Sequence, residues 1–367
     1  MSSAISLASA WITGLGAVTS VGLDAATTCA SIRAGIARPS DLDGHESHAY
    51  LDYSVAPTTG HVVPDLAKGF SGVGRWIQLA VAAIEDLCTS ARLPTPKAEP
   101  HFWASTVCEL IVPEIDERFE WDPGLDEAEL SARFRDPVLR RVASVFSPRR
   151  ASVLARGRHG VLEVMRAADW QVAGIDRIIV LATDSLVDLP ALRWLDEASC
   201  LKNDMNPVGL SPGEASIAIL LEHPRAAKQR GAVPMANLHT VATNLDPERS
   251  ADKGPGGVGL GRAALSVLER AALLEHGAAS FVSDLNGEVW RARELAAAQQ
   301  RVGHARWHMD NMVLPIVSTG DPGTAMPALQ IAVATKSLQR GYAGGASVLV
   351  TSSDPAGRVG AALVAKA

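Results

Sequence analysis

Four cysteines, two closely spaced histidines, one glycine-rich turn and one cationic turn are the residues of this 367-residue chain whose types and spacing bear on chemistry. A cysteine acts as a nucleophile in its thiolate form, which exposure and a helix N-terminus favour. Cys29 and Cys88 fall in helical patterns, Cys108 in a strand pattern and Cys200 at a helix end, so each reads as an inert thiol. They are widely spaced without a CxxC pair, which fits neither a disulfide framework nor a structural zinc site and fits a reducing compartment. His304 and His308 stand one helical turn apart, but only Asp310 offers a third ligand and no HExxH pattern occurs. Gly254, Gly256 and Gly259 satisfy GxGxxG, yet the charged stretch DPERSADK separates them from the preceding strand, so they read as a helix lead-in. A GxSxG nucleophile elbow is absent. No metal and no cofactor is therefore expected. The turn ARGRHG, residues 155–160, sets Arg156, Arg158 and His159 at a strand-to-helix tip, where three cationic groups could receive a carboxylate, a phosphate or an acidic partner loop.

The elements that must position these groups alternate. Residues 10–22, AWITGLGAVTSVG, read as a buried strand and a glycine turn, after which Asp24 opens a helix ending near Gly35. A second amphipathic helix covers 73–93, and HFWASTVCELIV, 101–112, reads as a strand. Residues 113–150 begin acidic and turn basic, and read as one or two surface helices with a solvated face and intrahelical ion pairs, or else as a partner-docking insert. A regular pattern follows: strand 151–155, helix 160–173, strand 177–183, helix 189–199 and strand 213–222. The second half repeats the plan, with strands near 233–243, 279–283, 314–319, 345–351 and 359–365 and helices at 260–276, 289–302 and 325–340. Such alternation predicts α/β layers, largely parallel, built from two duplicated βαβαβ-type halves. The halves are expected at 1–222, carrying the insert at about 113–150, and at 223–367.

Composition narrows the partners. Hydrophobic residues are 47% and charged residues 20%, enough to bury a large core. A formal charge of −6 argues against nucleic acid, which needs clustered cations. No apolar run reaches membrane-spanning length, and no Lys or Arg precedes Arg33 in a signal-peptide arrangement, so a cytoplasmic location is expected.

Taken in order, several segments resemble the β-ketoacyl-acyl-carrier-protein synthase family, whose fold is thiolase-like with layered α-β-α-β-α halves. WITGLGAVTSVG with the helix ending RAGIARPS is similar to the family's opening strand, turn and helix. The run from IIVLATDSLVDLPALRWL to GEASIAILLE resembles the end of its N-terminal half, with Gly213-Glu214-Ala215 at a GEG-like turn. FVSDLNGEV, IVSTGDPGTAMPALQIAV and VLVTSSDPAGRVGAALVAK resemble the segments that carry the first catalytic histidine, the lysine and second histidine, and the closing glycine-rich hairpin.

The resemblance implies a cysteine at the strand-to-helix tip and two histidines, and the matching positions hold other residues. Arg156 stands at the nucleophile position, Asn286 at the first histidine, Gly320 at the lysine and Thr324 at the second histidine. Arginine stays protonated and cannot be acylated, and asparagine cannot carry a proton through a cycle. Pro355 removes an N–H from the closing loop. The expectation is a non-catalytic pseudoenzyme that binds protein. It would serve as an adaptor, because the DSLxxxxxLxWL…LK…PGEA run resembles proteins encoded beside type VI secretion effectors, or as an accessory subunit, like a chain-length factor, of a fatty-acid or polyketide synthase working with an acyl carrier protein. An acyltransferase using non-standard residues is the alternative from another class. By analogy with the family, a homodimer through the strand 150–155 is also expected.

Overall fold

The structure is a computed structural model describing residues 10–48, 55–115, 117–119, 122, 124–168, 174–247, 256–273, 278–304, 306–307 and 311–367. The chain begins with β1 (Ala10–Thr19), α1 (Ala25–Arg33), the hairpin β2 (Ser40–His48) and β3 (Val55–Gly60), α2 (Gly72–Ser90), α3 (Pro100–Ala104) and β4 (Thr106–Val112). The insert holds α4 (Glu127–Leu130), a π-turn over Ser131–Arg135 and α5 (Asp136–Val142). Then come β5 (Arg150–Ala155), α6 (Gly157–Ala167), β6 (Arg177–Ser185), α7 (Leu189–Glu197), β7 (Glu214–Glu222) and α8 (Pro224–Gln229). The remainder is β8 (Ala236–Leu245), α9 (Val258–Arg270), β9 (Ser280–Val282), α10 (Val289–Val302), β10 (Met312–Val313), α11 (Ile316–Thr319), α12 (Met326–Gln339), β11 (Ser347–Ser353) and β12 (Arg358–Ala365).

Ten strands run in the order β10-β9-β11-β12-β8-β1-β7-β6-β4-β5. Read outward from the middle, β1-β7-β6-β4-β5 and β8-β12-β11-β9-β10 have the same order and the same senses: two antiparallel steps, then two parallel ones. The two half sheets meet where Ala10–Ile12 pairs with Ala236–Leu238. The sheet is thus mixed, whereas the alternating pattern had suggested a largely parallel one. The reason is that β12 follows β11 through a tight turn and β7 comes back beside β6, after α7 and a long loop, in the opposite sense, so both insert antiparallel between their neighbours.

Strand alternation builds the layers. In β6, Ile178, Val180 and Ala182 face a central core with α6 and α12, while Ile179 and Leu181 face an outer core under α2. In β12, Ala362 and Val364 face the same central core, and Val359, Ala361 and Leu363 face a third core under α9 and α10. The result is the α-β-α-β-α layering of a thiolase-like fold. Among the described residues no helix is long and apolar enough to cross a membrane.

Three segments differ from their sequence reading. HFWA is helical, because Pro100 at the first helical position pre-sets the turn, and the strand starts only at Thr106. Residues 314–319 hold α11 rather than a strand: Pro315 caps the turn and Gly320, at φ +64°, ends it, leaving β10 with two residues. The insert does not merely present a solvated face. Leu130, Phe134, Val138 and Val142, at i, i+4 spacing, are buried in the outer core, and Phe119 and Phe134 meet Trp76 edge-on with ring centroids 5.6 and 6.3 Å away.

Candidate functional site

The site sits where β5 turns into α6. Gly157 begins the helix at φ +58°, a backbone region that L side chains rarely adopt, and a Cβ there would lie 3.3 Å from Glu114 Cγ. This turn drives Arg158 inward. Its side chain is 9% exposed; Nη2 donates to Asp321 Oδ1 at 2.6 Å, and Nη1 stands 3.5 Å from Asp284 Oδ2. Asp321 comes from the turn after α11 and Asp284 from the loop after β9, so one arginine of the first half is held by two carboxylates of the second.

A network extends from that pair. Asn286 Nδ2 donates to Asp321 Oδ2 at 2.9 Å and to Glu288 Oε2 at 2.8 Å. Arg291, from α10, donates to Asp284 at 2.8 Å, to Glu288 at 3.1 Å and to the Ser353 carbonyl at 2.7 Å. Across the cleft Arg118 pairs with Asp184 at 3.1 Å, and Asp184 Oδ2 accepts the Thr324 N–H at 2.9 Å. Arg358 closes the rim: Nη2 donates to Glu114 Oε2 at 2.8 Å, and Nε donates to Asp354 Oδ2 at 2.6 Å. The space left among these groups is about 150 Å³.

The electrostatics follow from that geometry. Burial alone would raise the Asp321 carboxyl, but the Arg158 and Arg291 guanidiniums and the Asn286 and Arg158 hydrogen bonds hold it below the usual carboxylate range. Burial disfavours the Arg291 charge, yet Asp284, Glu288 and Asp321 more than compensate and hold it above its ordinary value. His159 is buried, which lowers its pKa against the pull of Glu163, 3.4 Å from Nε2. Burial pushes the Cys29 and Cys88 thiols up to about 12 and raises Cys108 further, and it also raises Cys200, the one cysteine lining the cleft. In all four, burial favours the neutral thiol over the thiolate.

The residues read from sequence are therefore distributed unevenly. Asn286 and Thr324 line or bound the network, and Pro355 lies exposed on the rim. Gly320 sits where no side chain fits: a Cβ would stand 2.7 Å from both His61 Cδ2 and the Pro212 carbonyl oxygen. Arg156 occupies the cap before α6 with its side chain exposed. Arg156, Arg158 and His159 do not converge as an anion receptor, because Arg158 is spent on Asp321 and His159 points to Glu163. Residues 254, 308 and 310 lie outside the described residues, so Gly254, His308 and Asp310 are not placed. Gly256 and Gly259 flank the start of α9, where a Cβ on Gly259 would meet the Asp246 backbone at 2.7 Å. Asp321, Asp284 and Arg291 escaped the reading because a search for nucleophiles, histidines and metal sets passes over Arg–Asp pairs. The available signal was the TGDPG turn, whose aspartate accepts the Gly323 N–H at 2.9 Å as Asx turns do.

No family model and no curated protein matches the chain. Solved structures do. A chain of the AntDE:AntF complex, a type II polyketide acyl-carrier protein with its ketosynthase bound to the hexaketide, matches with TM-score 0.78 at 14% identity, over 98% of this chain and 99% of that one. The ishigamide ketosynthase/chain length factor gives 0.72 at 18%, over 98% and 99%. The ketosynthase from module 6 of the bacillaene synthase of Bacillus subtilis 168 gives 0.75 at 11%, over 98% of this chain and 72% of that one. The chain thus has the fold of ketosynthases and chain length factors.

Proposed function

We propose that this chain is a non-catalytic ketosynthase-like subunit that acts by binding another protein. The observation that carries the reading is the Arg158–Asp321 pair at the strand-to-helix tip. Two residues past Arg156, which stands at the nucleophile position, a cation already neutralised by a buried carboxylate occupies the first turn of α6, where a helix N-terminus would otherwise favour a thiolate. The cleft supports it too. At about 150 Å³ it falls below the roughly 300–1,000 Å³ of pockets that enclose small molecules. On this reading Arg156, Asn286, Gly320 and Thr324 mark a degenerate catalytic set.

The partner is proposed to be cargo, such as a type VI secretion effector, with the chain acting as its adaptor. A second version, an accessory subunit beside an active ketosynthase or its carrier protein, draws support from the likeness to a ketosynthase/chain length factor and to a chain of a carrier-protein complex. In either version β5, which among the described residues is an edge strand hydrogen-bonded to β4 alone, would pair across a twofold axis as a homodimer.

Affinity capture of the tagged full chain from its native host, with light scattering of the eluate and mass spectrometry, tests this. A stoichiometric partner on a dimeric chain is expected. A secreted protein identifies the adaptor, and a ketosynthase or carrier protein identifies the accessory subunit. A partner-free monomer contradicts both.

A further inference from the structure

A second concavity, lined by other residues than the ion-paired cleft, has different chemistry. The edge strands of the two halves differ: β5 has six residues and the helical insert touches it, whereas β10 has two. Beside that short edge opens a cavity of about 490 Å³, walled by α1, β10, α11, α12 and the turn after α12. Ile32, Val282, Met312, Val313, Val317 and Val333 give it an apolar lining, within the roughly 300–1,000 Å³ range of pockets that hold small molecules. Val317 is 60% exposed and extends that lining to the rim.

The mouth is cationic. An adjoining groove shares Cys29, Arg33 and Tyr342 with the cavity and adds Lys336 and Arg340, and among the described residues no carboxylate lines either space. The Arg33 guanidinium lies over the Tyr342 ring at 4.2 Å, and Lys336 Nζ donates to Gln339 at 3.2 Å. Asp24 and Asp86 act on Lys336 from a distance, but both are committed: Asp24 caps α1 through Thr27, and Asp86 accepts the Ala17 and Ala25 N–H groups. Two helices end here, α1 at Arg33 and α12 at Gln339. Each C-terminus carries about half a negative charge, so the two together offset only about one of the three cations.

We infer that this cavity binds a small anionic amphiphile, an apolar chain or ring carrying a carboxylate. The tail lies along β10 and α12, and the carboxylate meets Arg33 and Arg340. This site is independent of whether the cleft is catalytic.

Calorimetric titration of the full chain with decanoate tests the inference. Saturable one-to-one binding is expected, weakened about tenfold or more in Arg33→Ala/Arg340→Ala because two charge-assisted contacts are lost. Decanol, with the same tail and no charge, should bind the unmodified chain more weakly by a similar factor. Val317→Trp, at an exposed rim position, should block entry while thermal unfolding stays unchanged. Absence of saturable decanoate binding overturns the inference, as does affinity that decanol matches.

Discussion

Replacing Asp321 with alanine should destabilise the fold by about 3 kcal/mol or more, because it leaves the buried Arg158 only the longer 3.5 Å contact with Asp284, a carboxylate already shared with Arg291. The side chains of the pair are 9% and 0% exposed, and Asp321 also accepts from Asn286 and from the Gly323 N–H, so three donors lose their acceptor together. Urea unfolding measures the loss. The double variant Arg158→Met/Asp321→Leu should recover much of it, since removing both charges removes the desolvation cost as well. The pair also leaves a pH signature. The folded Asp321 carboxyl titrates below its unfolded value of roughly 3.9, so its contribution is fully present above that value and is lost as pH falls through the lower folded one. Glu222 contributes to the same acid limb: burial raises its carboxyl, but hydrogen bonds from Arg230 and Thr13, with the charges of Arg230 and Arg177, hold it below its usual range. Asp321→Asn should therefore flatten the acid limb only in part.

Glu214→Ala should cost a comparable 3–5 kcal/mol or so by the same unfolding measurement, for a different reason. This fully buried carboxylate accepts from the Val63 N–H at 2.7 Å, from Arg75 at 2.5 and 2.8 Å, and from Ser185 Oγ at 2.9 Å. It thereby ties α2, β6 and the segment after β3 to the start of β7. Removing it strands Arg75, whose side chain is 11% exposed. Glu214→Gln keeps the shape and some of the hydrogen bonds, and its cost should fall nearer about 1.5–3 kcal/mol, the worth of a charged hydrogen bond. A Glu214 variant as stable as the parent would show that the turn is not an anchor.

Much of this fold was legible in the residues because strand alternation and helical spacing are local. The strands around Ile178–Leu181 and Ile217–Leu220 announced themselves by composition, and the glycine turns by position. The hairpin β2–β3 was not legible, since SDLDGHESH lacks any apolar alternation. The insert misled because its charges dominate the composition, although Leu130, Phe134, Val138 and Val142 already carried the i, i+4 stripe that buries it. In the site, Asn286 and Arg158 stood out, but their common partner Asp321 did not. Arg158 and Asp321 are 163 positions apart, and only the tertiary fold brings that pair together.

The claim that the cleft is non-catalytic is tested most directly by incubating the full chain with malonyl- and acyl-thioesters and following intact mass together with thioester consumption. The account predicts no covalent adduct on any residue, Cys200 included, and consumption at the buffer rate. A stoichiometric acyl adduct, or turnover above the buffer rate, would contradict it.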